Sequence, residues 1–546
     1  MARPQRTIEF QPLGRRVAAD ATATLLDAAR SAGVALQSTC GGAGTCGSCR
    51  VQRITGELSP PTEVEQLELD AAERGAGIRL ACQAHALSDA RLHLPADSLC
   101  TSQRLQLEAQ GVVSVDPLEA GAGGLGLAVD LGTTKVAMYL VDLATGVTRA
   151  SRAAPNPQIA YGEDVISRVA YAGQQPDGAG QLTRRIRDAL AVLSREVCEE
   201  AGVSRAAVRE VVVVGNTAMH HLLADLPVRQ LGLAPYRPAL TTPLDLPAEA
   251  LGFDLGAGAR AHLPPVVAGF VGSDHLAMLL GTGLDRRGGT VLAVDIGTNT
   301  EMTLLHDGRL RTCSSPSGPA FEGAHLSTGM RAAPGAVEAV RIRGRAVHVR
   351  TIDDAPAIGI CGSGILDLMA ELRQAGLLNE RGTIQGSHPA VRPGPKGPEV
   401  VLAEAGATGL GRPLTVVRRD LHEIQMAKAA IRSGIDVLLD RAGIGPAALD
   451  EILVAGAFGS YLDLRSAVRI GMFPPVPRDR IRQVGNAAGL GARQLLVSPA
   501  RRARAEALAS RVEHVELSGE PSFRDRYLSA LWIPHRHHAT EAPPAT

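Results

Sequence analysis

The run Ala128-Val129-Asp130-Leu131-Gly132-Thr133-Thr134 returns 165 residues later as Ala293-Val294-Asp295-Ile296-Gly297-Thr298-Asn299. Each copy is an apolar strand that reaches an aspartate, turns tightly at a glycine and starts back as a second strand. One such hairpin constrains little. Two of them, with chain enough between for a helix and more strands, predict a duplicated α/β architecture with one ligand held between its halves. The turn chemistry points to phosphate. Amides and hydroxyls of Gly132, Thr133, Thr134 and of Gly297, Thr298 and Asn299 suit phosphate oxygens, and Lys135 adds a compact charge. Asp130 and Asp295 are placed to orient Mg2+ or its waters. Asp-x-Gly is also ordinary turn chemistry; the duplication favours the metal-orienting role and a nucleoside triphosphate such as ATP.

Further stretches extend this reading. Ile452-Leu453-Val454-Ala455 runs into Gly456-Ala457-Phe458-Gly459-Ser460, a strand and a turn whose glycines let the backbone pass close to a flat ring. Ala268 to Asp274 and Gly485 to Ala492 read as small-residue helices that cross closely, as a hinge between lobes requires. Asp274 and Glu322 are candidates to orient an attacking water, although a lone carboxylate is more often a cap or a solvated group. The chain has only three lysines, Lys135, Lys396 and Lys428. Lys428 lies on a helical run from Leu421 to Leu439 with Gln425 one turn earlier, which suits contact with ribose or adenine, or an ordinary surface pair. Gly362-Ser363-Gly364 heads an apolar helix, as an anion site or a plain cap. His221 reads as a core histidine, and His535-Arg536-His537-His538 as part of a disordered tail.

Residues 5 to 99 follow another pattern. Short strands, Thr7 to Phe10 and Arg16 to Ala18 among them, accompany one amphipathic helix, Thr24 to Arg30. Cys40, Cys46 and Cys49 then share a glycine-rich loop with five and two residues between them, and Cys82 follows after 32 more. The glycines admit positive φ and turn amides inward, and thiolates suit iron bridged by sulfide. Zinc prefers two close pairs and only Cys46 and Cys49 form one; a Rieske centre needs two histidines that the loop lacks. A 2Fe–2S cluster on Cys40, Cys46, Cys49 and Cys82 is therefore expected. Cys100, Cys198, Cys313 and Cys361 are scattered and read as buried thiols. The resulting division is an iron–sulfur domain over 1–99 and a linker over 100–124. Two lobes follow over 125–285 and 286–520, with a partly disordered tail over 521–546.

Composition sets outer bounds. At 546 residues, 45% hydrophobic and 21% charged, the chain has the balance of a folded globular protein with several cores. Its formal net charge of zero gives a nucleic-acid or acidic-lipid surface no support. No apolar run approaches a membrane span, and the start shows no apolar stretch behind its basic residues. A cytoplasmic protein that touches neither nucleic acid nor membrane is expected.

Two resemblances sharpen these expectations. The cysteine spacing, with Leu80-Ala81-Cys82-Gln83 around the last ligand, resembles the adrenodoxin-like branch of 2Fe–2S ferredoxins and implies an α+β, β-grasp domain. The body resembles the superfamily of acetate and sugar kinases, Hsp70 and actin (ASKHA). Asp130 to Thr134 matches its first phosphate motif, Asp295 to Asn299 its second, Gly456 to Gly459 its adenosine motif, and the two small-residue helices its connecting helices. That implies an α/β, two-lobed, RNase H-like duplicated fold. Together, over roughly residues 5 to 520, the chain resembles the reductive activators of corrinoid proteins. Val214 to Met219, Ser317 to Gly323, Ile360 to Ile365 and Gln425 to Lys428 are further family-like stretches. The resemblance implies that ATP drives one electron from the cluster to a corrinoid methyl-transfer protein and restores Co(I) from inactive Co(II). A separate electron-donating reductase and a homodimer come with it. Two alternatives stay open. One is an electron-donating activator of a dehydratase or benzoyl-CoA-type reductase, disfavoured because Cys198, Cys313 and Cys361 lack cluster spacing. The other is a non-enzymatic redox-sensing regulator, which slow or absent turnover would favour.

Overall fold

A computed structural model describes residues 5–11, 15–32, 34, 36–38, 40–95, 98, 113–114, 123–162, 164–323, 326–395, 397–409, 412–456, 458–459 and 461–535. Ala457, Cys100, most of the expected linker and residues 536–546 lie outside them. The chain divides into two compact units, residues 1–102 with 155–189, and residues 103–154 with 190–546. No helix among the described residues is long and apolar enough to cross a membrane.

The first unit is built on a mixed five-stranded sheet in the order Arg15–Asp20, Gln5–Gln11, Ala90–His93, Arg50–Thr55, Ile78–Leu80. Gln5–Gln11 pairs antiparallel with Arg15–Asp20 and parallel with Ala90–His93, the β-grasp arrangement. Alternation along Gln5–Gln11 sends Ile8 and Phe10 into a core shared with Val51, Leu80 and Leu92. Helix Leu25–Ser31 closes that core with Leu25, Leu26, Ala28 and Ala29, and it starts at a capping box between Thr24 and Asp27. Buried Glu65 accepts from Arg79 through both carboxylate oxygens, at 2.9 and 2.8 Å, and from the Leu80 amide at 3.0 Å. Those bonds tie helix Glu63–Glu68 to the strand that delivers Cys82. Residues 155–189 contribute a 3-10 turn, Pro157–Tyr161, and helix Val165–Gln174. They lie on the cysteine loop: a Cβ on Gly41 would stand 2.8 Å from the Tyr161 carbonyl oxygen.

The second unit carries the duplication as two six-stranded sheets. One runs Leu244–Pro247, Arg260–Leu263, Val208–Gly215, Leu125–Leu131, Lys135–Asp142, Thr148–Pro155. The other runs Ile481–Gly485, Glu451–Ala455, Val291–Ile296, Thr300–His306, Arg309–Ser315, Glu513–His514. In each, the first strand pairs antiparallel with its hairpin mate and parallel with a later strand. Both first strands are apolar nearly throughout, as sheets covered on two faces require. Helices Ser273–Gly281 and Ala487–Leu496 share one core with both sheets, where Leu276 and Leu495 meet Ala128, Val212, Ala293 and Leu453.

The two helices cross at glycine: a Cβ on Gly491 would lie 2.0 Å from the Ala277 carbonyl oxygen. Both start later than the sequence suggests. Ala268 to Gly272 is not helical, because the Val267 and Ala268 amides close a turn on the Val271 carbonyl. Gly485 ends a strand. Between Arg309–Ser315 and helix Arg418–Ala442 the second half inserts two three-stranded sheets and helix Gly362–Gln374. After residue 520, helix Phe523–Ala530 packs on helix Arg418–Ala442.

Candidate functional site

The cysteine loop is held open by conformation. Gly41, Gly42, Gly44 and Gly47 have φ of +69°, +104°, +85° and +63°, and a Cβ on Gly44 would meet the Gln83 carboxamide at 2.8 Å. The sulfurs stand as two pairs. Cys40 and Cys46 have their Sγ atoms 3.3 Å apart, and the buried Cys49 and Cys82 thiols are hydrogen-bonded neighbours. The Cys46 thiol, with the inward amides of Gly42, Cys46 and Thr45, brings Cys40 down to about 4 against the opposing effect of burial. Cys82 is lowered by Cys49 and then by the Gln83 amide, which donates to its sulfur at 3.6 Å, while Cys49 is raised by Cys82 and by burial. Among the described residues no three His, Cys, Asp or Glu side chains converge on a single-ion site. Two pairs, each suited to one iron of a binuclear centre, fit a 2Fe–2S cluster better than a lone zinc. Cys198, Cys313 and Cys361 are separately buried, each thiol raised by that burial.

The second constellation lies in a cleft of the second unit. Its floor is the two hairpins, each closed by its glycine. The Gly132 amide donates to the Lys135 carbonyl at 2.9 Å, and the Gly297 amide to the Asn299 carbonyl at 3.1 Å. Thr133, Thr134, Lys135, Thr298 and Asn299 line the cleft with Asp130, Asp274, Asp295 and Glu301. Burial raises Asp130, although Lys135 and a bond from Asn486 Nδ2 (2.9 Å) oppose it. Burial and then the Asp130 charge lift Asp295 to about 7. Burial, Asp130 and Asp295 lift Asp274 to about 8. Glu301 is raised well above the carboxylate range by burial, then by Asp274 and Asp295. Four carboxyl groups that disfavour one another's charge form a place where a cation would be stabilised.

Glu322 binds the two halves together. Its Oε1 accepts the Thr134 hydroxyl at 2.9 Å and the Thr298 hydroxyl at 2.8 Å, and those hydroxyls are 3.1 Å apart. The preceding Phe321 stacks on Phe458, with ring centroids 4.7 Å apart and planes at 17°. Gly456 (φ +93°) brings that loop against the second hairpin: a Cβ there would lie 2.4 Å from the Ile296 carbonyl oxygen.

Most of the expected residues therefore meet in one cleft; Gly132, Gly297, Gly456 and Phe458 also line it, Gly459 does not, and Ala457 lies outside the described residues. Gln425 and Lys428 are elsewhere. Gln425 Nε2 donates to the Leu531 carbonyl at 3.0 Å and Lys428 Nζ to the Trp532 carbonyl. Lys428 is fully buried, and that desolvation pulls its ammonium well below the usual lysine value. Their helix face is covered by the C-terminal segment, a partner a hundred residues on that no local pattern reveals. Glu301, Asn216, Asn486 and Arg331 escaped assignment. Glu301 was legible: with a three-residue turn at 297–299, the residue opposite Asp295 is Glu301. Asn216 donates to the Thr133 hydroxyl at 2.8 Å while capping the Met219 amide. Among the described residues, Arg331, 7% exposed, is with Lys135 one of the two cationic side chains on the cleft.

Fold and site together define a class of protein, a ferredoxin-type iron–sulfur domain on the same chain as a duplicated, ASKHA-type nucleotide-binding body. The family description "2Fe-2S iron-sulfur cluster binding domain" matches residues 8–87, "RACo middle region" residues 125–287, and "C-terminal domain of RACo the ASKHA domain" residues 289–542. The chain is 34% identical to the corrinoid activation enzyme RamQ of Eubacterium limosum, over 74% of this chain and 69% of that protein. It is 26% identical to the [Co(II) methylated amine-specific corrinoid protein] reductase of Methanosarcina barkeri, over 74% and 76%. The solved structure of a reductive activator for corrinoid,iron-sulfur protein superposes with a TM-score of 0.71 at 30% identity, covering 97% of this chain and 99% of that one. The chain belongs to this RACo family of corrinoid activators.

Proposed function

We propose that this protein is an ATP-dependent reductase that returns a corrinoid protein from inactive Co(II) to Co(I) in a methyltransferase system. The observation that carries the reading is the joining, on one chain, of a four-cysteine constellation and a carboxylate-lined cleft in a member of the RACo family. Cys40, Cys46, Cys49 and Cys82 hold the 2Fe–2S cluster, which when bound supplies a one-electron step. Such clusters sit well above the potential of Co(II)/Co(I), and a gap of a few hundred millivolts corresponds to roughly 5–10 kcal/mol per electron. That is within reach of one ATP hydrolysis.

The residues of the cleft divide the nucleotide's parts among them. Gly132, Thr133, Thr134, Lys135, Gly297, Thr298 and Asn299 hold phosphates, and Asn216 fixes the rotamer of Thr133. Asp130, Asp295 and Glu301 hold Mg2+ through its waters, since among the described residues no three of them converge on one bare ion. Asp274, at the start of a connecting helix, orients the attacking water. Gly456 and Phe458 take the adenosine end, the Phe458 ring offering an apolar face to the base. Partners are the corrinoid protein, a separate electron-donating reductase and a second copy of the chain.

The test is anaerobic visible spectroscopy of the reduced protein with a Co(II) corrinoid protein. Co(I) is expected only with Mg-ATP, and it is expected to disappear in Cys46→Ser and in Asp295→Ala. ATP turnover without Co(I) across several corrinoid partners would instead favour the dehydratase-type activator, and no turnover at all the redox-sensing regulator.

A further inference from the structure

The Glu322 carboxylate occupies the two threonines that the phosphate reading needs. Thr134 belongs to the first hairpin and Thr298 to the second, yet both hydroxyls donate to the same Glu322 oxygen, at 2.9 and 2.8 Å. A carboxylate oxygen receiving two hydroxyls matches what a phosphate oxygen would receive there. Two anions cannot share that position without a cation between them. Glu322 ends the 3-10 turn Pro319–Glu322, and that turn is wedged tightly. A Cβ on Gly362 would stand 1.8 Å from the Phe321 carbonyl oxygen, and the Phe321 ring is stacked on Phe458 of the adenosine loop. The turn thus touches both phosphate hairpins, the adenosine loop and the first residue of helix Gly362–Gln374.

We infer that Glu322 is a latch rather than a water-orienting base: it holds the two halves together in place of phosphate, and a nucleotide phosphate displaces it. The inference rests on the reading of the cleft as a nucleotide site. Displacement releases the turn, so that occupancy of the phosphate hairpins is passed to Phe321, Phe458 and helix Gly362–Gln374. The device gives the nucleotide a differential affinity for two arrangements of the site, which any ligand-driven change requires.

The two roles for Glu322 predict opposite outcomes in the full chain. Mg-ATP affinity is measured by calorimetry, turnover by phosphate release, and exchange of backbone amides by mass spectrometry with and without a non-hydrolysable ATP analogue. A latch predicts that Glu322→Ala binds Mg-ATP about tenfold more tightly. Glu322→Gln, which keeps the shape and loses the charge, moves the same way by less. In the wild type, the analogue raises exchange at Phe321 and Glu322. A fall in turnover of about a hundredfold with affinity unchanged would make Glu322 a catalytic base and overturn the latch. So would variants that bind and turn over as wild type does. Wild-type protein that binds no Mg-ATP would overturn the nucleotide reading itself, a result separable from the other two.

Discussion

At the scale of single residues the carboxylates of the cleft make the most exacting claim. Folding raises Asp295 to about 7 and Asp274 to about 8, from an unfolded value of about 3.9. Between those limits the folded chain binds more protons than the unfolded one, so its stability falls as pH rises. The nucleotide-free protein should therefore be most favoured below about pH 4, as far as these groups decide, and should lose stability from there up to about pH 8. Mg2+, which favours the ionised forms, should restore part of that loss and bind more tightly as pH rises. Asp295→Asn should stabilise the free protein at pH 8 by about 1–3 kcal/mol and flatten the slope, read by thermal unfolding at pH 5 and pH 8. A variant less stable at both pH values would contradict the cluster. Asp130, Asp295 and the hairpin threonines were legible because turn chemistry is local. Glu301 follows from strand register too, as the partner of Asp295 across the hairpin. The bond from Asn486 to Asp130, spanning 356 positions, had no local signal.

Among the elements, hairpins and cysteine loop carry their instructions within a dozen residues, which is why the strand pairing of both hairpins and the presence of a 2Fe–2S domain are legible in the sequence. The connecting helices show a different dependence. Their glycines were visible, but where each helix begins depends on a turn at Val271 and on a strand ending at Gly485. Gly491 sits where a side chain would strike the Ala277 carbonyl, so Gly491→Val should cost roughly 1–3 kcal/mol by overpacking and weaken nucleotide binding, as a calorimetric titration would show. The C-terminal segment is the element that local pattern misplaced. It accepts bonds from Gln425, Lys428 and Arg373 on its carbonyls. Ending the chain at Ala530 should cost at least about 3 kcal/mol, because Gln425, Lys428 and Arg373 lose the carbonyls they donate to and buried Ile533 is removed from the core. Lys428→Met in the full chain should stay within about 1 kcal/mol of wild type and bind nucleotide unchanged. Weakened binding in a well-folded Lys428→Met protein would return that lysine to the site.

Over the whole molecule, duplication was the legible principle. Two copies of one hairpin predicted two sheets, and both sheets repeat the same order around their first strand. The insertion between Arg309–Ser315 and Arg418–Ala442 was not legible, since its strands are short and its pairings non-local. The placing of residues 155–189 with the iron–sulfur unit was hidden for the same reason. The central claim is that nucleotide chemistry in one unit drives an electron out of the other. The most direct measurement is an anaerobic single-turnover absorbance experiment. The protein is reduced, freed of reductant, and mixed with a Co(II) corrinoid protein alone, with Mg-ADP or with Mg-ATP. The account predicts that cluster oxidation and Co(I) appear in step, and only with Mg-ATP. Cluster oxidation at the same rate without nucleotide, or ATP consumed with the cluster still reduced, would contradict it.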